Sequence, residues 1–144
     1  EGGGLDGLSA SLPPAWVDFS EEANADIQRI KEKMKELGNA HHKALLPNFD
    51  DMGSDDHVVE VVTQEITRLF KRCEARLQKL GKGGGGGPGS PSLSAAEMRV
   101  VTNVQRKLAT ELQKLSVDFR KMQKDYLQRL KQQQDRGPGA KGID

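Results

Sequence analysis

Cysteine, aromatic residues and long apolar runs are all scarce in this chain, and each scarcity closes off a class of protein. The one cysteine, Cys73, has no partner for an internal disulfide and cannot build a multi-thiolate zinc site. A lone thiol fits a reducing compartment. Aromatic residues are 4% of the 144 positions, against 35% hydrophobic and 30% charged. That balance suits thin helices sharing a narrow core better than a broad globular interior. No run approaches the roughly 18 apolar residues of a membrane span, and no secretory signal is visible. The formal net charge of +1 leaves the chain as a whole without the footprint of a polyanion binder. Its start at Glu1 rather than Met points to a piece of a longer protein.

What is present is helical periodicity. Phe19, Ala23, Ile27, Ile30, Met34, Leu37, His41 and Leu45 recur at steps of three and four, so they lie on one face of a first helix over about 19–45, with Asp18 or Ser20 as its cap. Gly38-Asn39 weakens that helix, but the stripe resumes in phase, so continuation is expected. Pro47 stops it. Asn48 to Asp56 reads as an acidic loop, and a second helix over about 57–80 carries Val59, Val62, Ile66, Leu69, Cys73, Leu77 and Leu80, flanked by Phe70. Gly81 is a stop signal, and 81–93, with its five consecutive glycines, is a flexible linker. Ser94 and Glu97 form a capping box ahead of a third helix over about 94–134, striped by Val101, Val104, Leu108, Leu112, Leu115, Phe119, Met122, Tyr126 and Leu130. Segments 1–12 and 137–144 are Gly-rich and expected to lack order, which leaves one domain over 13–136.

Helices this long, apolar on one face, must bury their stripes against one another. The expected fold is all-α, an antiparallel, left-handed, up-down three-helix bundle. Its core should hold Ile27, Ile30, Met34, Leu37, Val62, Ile66, Leu69, Cys73, Val104, Leu108, Leu115, Phe119, Met122 and Tyr126. Trp16 should act as a staple across the bundle end.

The chemistry of an enzyme is missing. His41 and His42 are adjacent and diverge by about 100° on a helix, so they do not converge on a metal, and His57 stands apart. Cys73 has no His at helical spacing and reads as a small buried hydrophobe. The loop Asp50 to Asp56 lacks the ligand alternation of a calcium site, and the glycine run lacks the Lys-Ser/Thr ending of a phosphate loop. No catalytic, cofactor-binding or metal-binding residue is therefore assigned.

Two surface features remain. From Met98 to Arg136 there are ten Lys/Arg against four Asp/Glu, with Glu111, Asp118 and Asp125 at seven-residue intervals. That is a solvated face or a contact for an acidic protein or lipid, and it lacks the motif a nucleic-acid surface requires. Val61 and Arg68 on the second helix, with Val117 and Leu127 on the third, are candidates to line a groove for another helix; scattered exposed apolar residues are the plain alternative.

Three blocks in order carry a resemblance. The segment Leu12-Pro13-Pro14-Ala15-Trp16-Val17-Asp18 with Ile27 to Leu37, the run Thr63-Gln64-Glu65-Ile66-Thr67-Arg68-Leu69-Phe70-Lys71-Arg72-Cys73, and Asn103 to Ala109 with Tyr126-Leu127-Gln128-Arg129-Leu130 resemble the N-terminal Habc domain of syntaxin-16-like Qa-SNARE syntaxins, plant-type members most of all. The resemblance spans about 12–134, and the glycine run departs from it. It implies a regulatory three-helix head of a t-SNARE acting at trans-Golgi network and endosome membranes, on their cytosolic face. The implied partners are an SM-family (Sec/Munc-type) protein, vesicle tethers, the protein's own SNARE motif in a closed form, and other SNAREs through a downstream region. Neither a SNARE motif nor a membrane anchor is recognisable here, so this piece is expected to be soluble, to insert into no membrane and to bind no nucleic acid. The competing reading is a spectrin-like helical spacer or adaptor.

Overall fold

The computed structural model describes residues 14–47, 53–82 and 93–136. They form three helices, α1 (Ala15–Leu45), α2 (Ser54–Gly81) and α3 (Ala95–Asp135). The 1–12 segment, the glycine run and 137–144 lie outside the described residues, as does Asn48 to Met52 of the acidic loop.

The course of the chain follows from which residues meet. Asp26 of α1 is held by Arg72 and Arg76 of α2, and Lys33 of α1 by Glu65, so position falls along α2 as it rises along α1. Phe70 meets Phe119 while Gln105 reaches Leu77, so α2 and α3 are also antiparallel. Lys31 meets Glu111, His41 meets Tyr126, and Gln133 donates to the Leu45 carbonyl, so α1 and α3 run side by side in the same direction. The result is an up-down-up three-helix bundle.

The start of α1 and both ends of α2 differ from their expected places, each for a local reason. Pro14, extended at ψ 150°, ends the lead-in, and α1 begins at Ala15, where the Val17 N–H donates to the Pro14 carbonyl at 2.9 Å. Asp18 and Ser20 thus lie inside the first turns rather than capping them; the Ser20 hydroxyl donates back to the Val17 carbonyl at 2.8 Å. The extra turn lets Trp16 and Phe19 pack on the core. Trp16 is therefore a helical residue, half-buried, whose indole N–H meets no acceptor among the described residues. α2 starts at Ser54 rather than near His57, because Asp55 and Asp56 sit in its first turn, where carboxylates favour the positive helix end. Gly81 does not stop α2 by a left-handed turn. It is the last helical residue, and its bare Cα leaves room for Gln105, whose amide nitrogen would lie 2.5 Å from a Cβ there. α3 opens with the expected capping box: Glu97 N–H donates to Ser94 Oγ and Ser94 N–H to Glu97 Oε1, both at 3.1 Å.

The core is a single cluster along the seam of the three helices. Ile27, Ile30, Met34 and Leu37 of α1 are buried, and α1 runs unbroken through Gly38. From α2 come Val62, Ile66 and Cys73, and from α3 Leu108, Phe119 and Tyr126. Four expected core residues, Leu69, Val104, Leu115 and Met122, are half-buried at its edge. On α2 the deep place belongs to Phe70, whose ring stacks on Phe119 at 5.6 Å. On α3 Leu112, Phe119 and Tyr126 recur every seven residues and stay over the seam, while Val104, Leu115 and Met122 lie rotated toward α1. Five of the 41 residues of α3 are buried, so it leans on the α1–α2 pair and turns most of its surface outward.

Candidate protein-interaction surface

The four proposed surface residues do not share one groove. Val61 is 37% exposed, and Arg68 is also exposed. With Glu65 and Arg72 they form one ridge of α2 at steps of three and four, and both Glu65 and Arg72 reach α1, at 2.7 Å to Lys33 and 2.7 Å to Asp26. The α2 residues turned to α3 are on the other side, around Phe70. Val61 and Arg68 thus belong to the outer edge of the α1–α2 pair. Val117 and Leu127 of α3 are 51% and 61% exposed, on the side of α3 away from Glu111 and its contact with α1. The structure brings the second pair to one flank and leaves the first on another.

A charge cluster that periodicity alone did not flag joins α1 to α2. Asp26 is fully buried. Its Oδ1 accepts from Arg72 Nη2 at 2.7 Å and Nε at 3.2 Å, and its Oδ2 from Arg76 Nη1 at 2.6 Å. Arg76 also donates to the Glu22 carbonyl at 3.4 Å. Forked donation of this kind satisfies a carboxylate that would otherwise be costly to bury. The bonds to Asp26 hold the Arg72 guanidinium above its ordinary pKa. The sequence carried a signal: an acid beside Ile27 on the apolar face of α1, and two arginines four apart on α2.

Cys73 is buried next to this cluster, its thiol 3.5 Å from the Ala23 carbonyl, and burial pushes its pKa up to about 12. A thiol so protonated is a poor nucleophile. His41 is buried and stacks flat on Tyr126 with ring centroids 4.1 Å apart, and burial lowers its pKa. Tyr126 is raised, first by burial and then by the neighbouring Asp56. Between α1 and α3 at this end lies a cleft of about 200 Å³, lined by Gly38, His41, His42, Leu45, Met122, Asp125, Tyr126 and Arg129. Among the described residues no three His, Cys, Asp or Glu side chains converge as metal ligands, and no helix is long and apolar enough to cross a membrane.

Three amphipathic helices around one seam, with a satisfied interior charge and with apolar residues displayed on two separate flanks, define an all-α three-helix domain. The chain belongs to the syntaxin family of Qa-SNAREs, in the trans-Golgi branch of Tlg2 and syntaxin-16, and matches its Habc three-helix domain. It is 50% identical over 130 residues to Tlg2p-like protein a of Arabidopsis thaliana and 41% identical over 131 residues to human Syntaxin-16, in each case over 90% of this chain and 38% of the relative. The chain thus spans well under half the length of these relatives. A solved structure of the SM protein Vps45 in complex with the Qa SNARE Tlg2 (1-310) contains a chain 30% identical, with a TM-score of 0.66 over 94% of this chain and 75% of that one. No family model matches.

Proposed function

We propose that this chain is the regulatory head of a longer t-SNARE that serves vesicle docking and membrane fusion at the trans-Golgi network and endosomes, on their cytosolic face. It works by binding and carries out no catalysis. The observation that carries this reading is the likeness, over nearly the whole bundle, to a structure of Tlg2 bound to Vps45. An SM-family protein is the first partner it implies, with vesicle tethers a second class and other SNAREs engaged through the downstream region.

The mechanism is exchange of helical partners. In a closed form the protein's own SNARE motif lies along α2 and α3, in the angle between the two helices, unavailable to partner SNAREs. An SM protein or tether that binds the closed and open forms unequally shifts that balance. The separate placement of Val61 and Arg68 on the α1–α2 edge supports a second contact surface that stays accessible while the first is covered.

The test titrates the 144-residue chain with its cognate SM protein and, separately, with its SNARE-motif peptide, while NMR signals of the backbone are followed. The SM protein is expected to bind, and the peptide to shift signals of α2 and α3. A chain that binds neither would instead be a helical spacer.

A further inference from the structure

α3 sorts its charges by side. Glu111, Asp118 and Asp125 recur every seven residues and share one side of the helix. Lys31 of α1 meets Glu111 at 3.5 Å, which identifies that side as the one turned toward α1. Arg99, Arg106, Arg120, Lys124 and Lys131 fall on the opposite flank, where α3 offers no carboxylate before Asp135. Arg120, Lys124 and Lys131, with Gln123 and Gln128, surround Leu127 on the outer surface of the helix. None of the three forms a salt bridge among the described residues. Of the α2 carboxylates at this end of the bundle, Glu60 accepts from Gln64 and Asp56 lies beside Tyr126.

We propose that this flank of α3 docks on a membrane surface rich in anionic lipid. Lipid phosphates and carboxylates meet Arg120, Lys124 and Lys131, and Leu127 enters the boundary between headgroups and acyl chains. Two observations favour a lipid surface over an acidic peptide. Every residue around Leu127 here comes from one helix, so the surface is a convex ridge, whereas a docked helix or strand seeks a groove or edge between elements. Leu127 is also an isolated apolar tip ringed by long basic side chains, whose stems spread over apolar surface while their charges reach headgroups. Three unpaired basic groups and one leucine give a weak, reversible attachment that salt screens. The inference does not depend on the functional reading above, and Leu127 serves the membrane only while no helix covers it.

The experiment is co-sedimentation of the 144-residue chain with vesicles of phosphatidylcholine alone or containing about 30% phosphatidylserine, at roughly 0.1 M salt. Binding is expected to the anionic vesicles and not to the neutral ones. The triple variant Arg120→Gln, Lys124→Gln, Lys131→Gln is expected to lower the partition coefficient by on the order of 100-fold. A control triple, Lys107→Gln, Lys114→Gln, Lys121→Gln, makes the same charge change on the side that holds the acids and is expected to lower it far less. Thermal melts confirm that each variant is folded. No binding to anionic vesicles overturns the proposal, and so does an equal loss in the two triples, which would reduce the effect to net charge. Binding to a soluble Glu/Leu helical peptide without binding to vesicles also overturns it, in favour of an acidic protein partner.

Discussion

Arg76 of α2 reaches across to Asp26 of α1 with its Nη1 2.6 Å from Oδ2, and the two residues differ sharply in their surroundings: the carboxylate is fully buried and the arginine side chain is 25% exposed. Removing either partner therefore has unequal consequences. The double variant Arg72→Ala, Arg76→Ala strands a buried carboxylate and is expected to lose about 3–5 kcal/mol of stability. Asp26→Ala leaves two arginines that turn to water and is expected to lose distinctly less. The triple variant without any of the three charges should recover most of the loss of the double. Urea unfolding of the four proteins checks the order, and a double variant as stable as the parent would show that the clamp does not hold α1 to α2.

His41 makes the bundle sensitive to acid. Burial lowers its pKa below the ordinary 6.5, so in a falling pH the unfolded chain takes up the proton first. Above about pH 6.5 the residue is neutral in both states and contributes no pH dependence. Below it the unfolded state binds more protons, and stability falls by at most about 1.4 kcal/mol per pH unit until the folded histidine also protonates. His41→Phe keeps a ring against Tyr126 and removes the proton site. The loss of melting temperature between about pH 7 and pH 5.5 is expected to be smaller in that variant. Parallel losses in the two proteins would assign the acid sensitivity to other groups.

Gly38 is a stabilising substitution waiting in the first helix. It is helical, and a Cβ there would lie 3.8 Å from Met122 Cε, an ordinary contact. Gly38→Ala should add roughly 0.5–1 kcal/mol, the helix-propensity difference between the two residues, with a small packing gain at the cleft toward α3. Scanning calorimetry measures it, and a lower melting temperature would mean that the α1–α3 contact at Met122 is tighter than its geometry indicates.

The three-helix architecture was legible because steps of three and four leave one apolar stripe on each helix, and such stripes have nowhere to go but against each other. The depth of individual residues was less legible. Leu69 and Phe70 are neighbours 100° apart on α2, and which one lies over the seam depends on where α3 crosses, which one-dimensional periodicity does not contain. Asp26 escapes the pattern for a related reason: in the sequence a carboxylate beside an apolar stripe is indistinguishable from a solvated one, and only the fold brings the arginines of another helix onto it. The surface pairing of Val61 and Arg68 with Val117 and Leu127 assumed that exposed residues on adjacent helices face the same groove. The contacts of Glu65 and Arg72 with α1 place the α2 pair on the other edge.

The up-down-up course also has a mechanical meaning. Because α1 and α3 point the same way, the chain enters the bundle at Ala15 and leaves it past Asp135 at opposite ends of a rod that is at least the 31 residues of α1 long, about 46 Å. Tension applied through the two ends therefore loads the helices lengthwise, so that their interdigitated side chains must slide past one another together rather than peel apart one by one. A pull on one end while the other is held thus meets the stiffest direction of the fold.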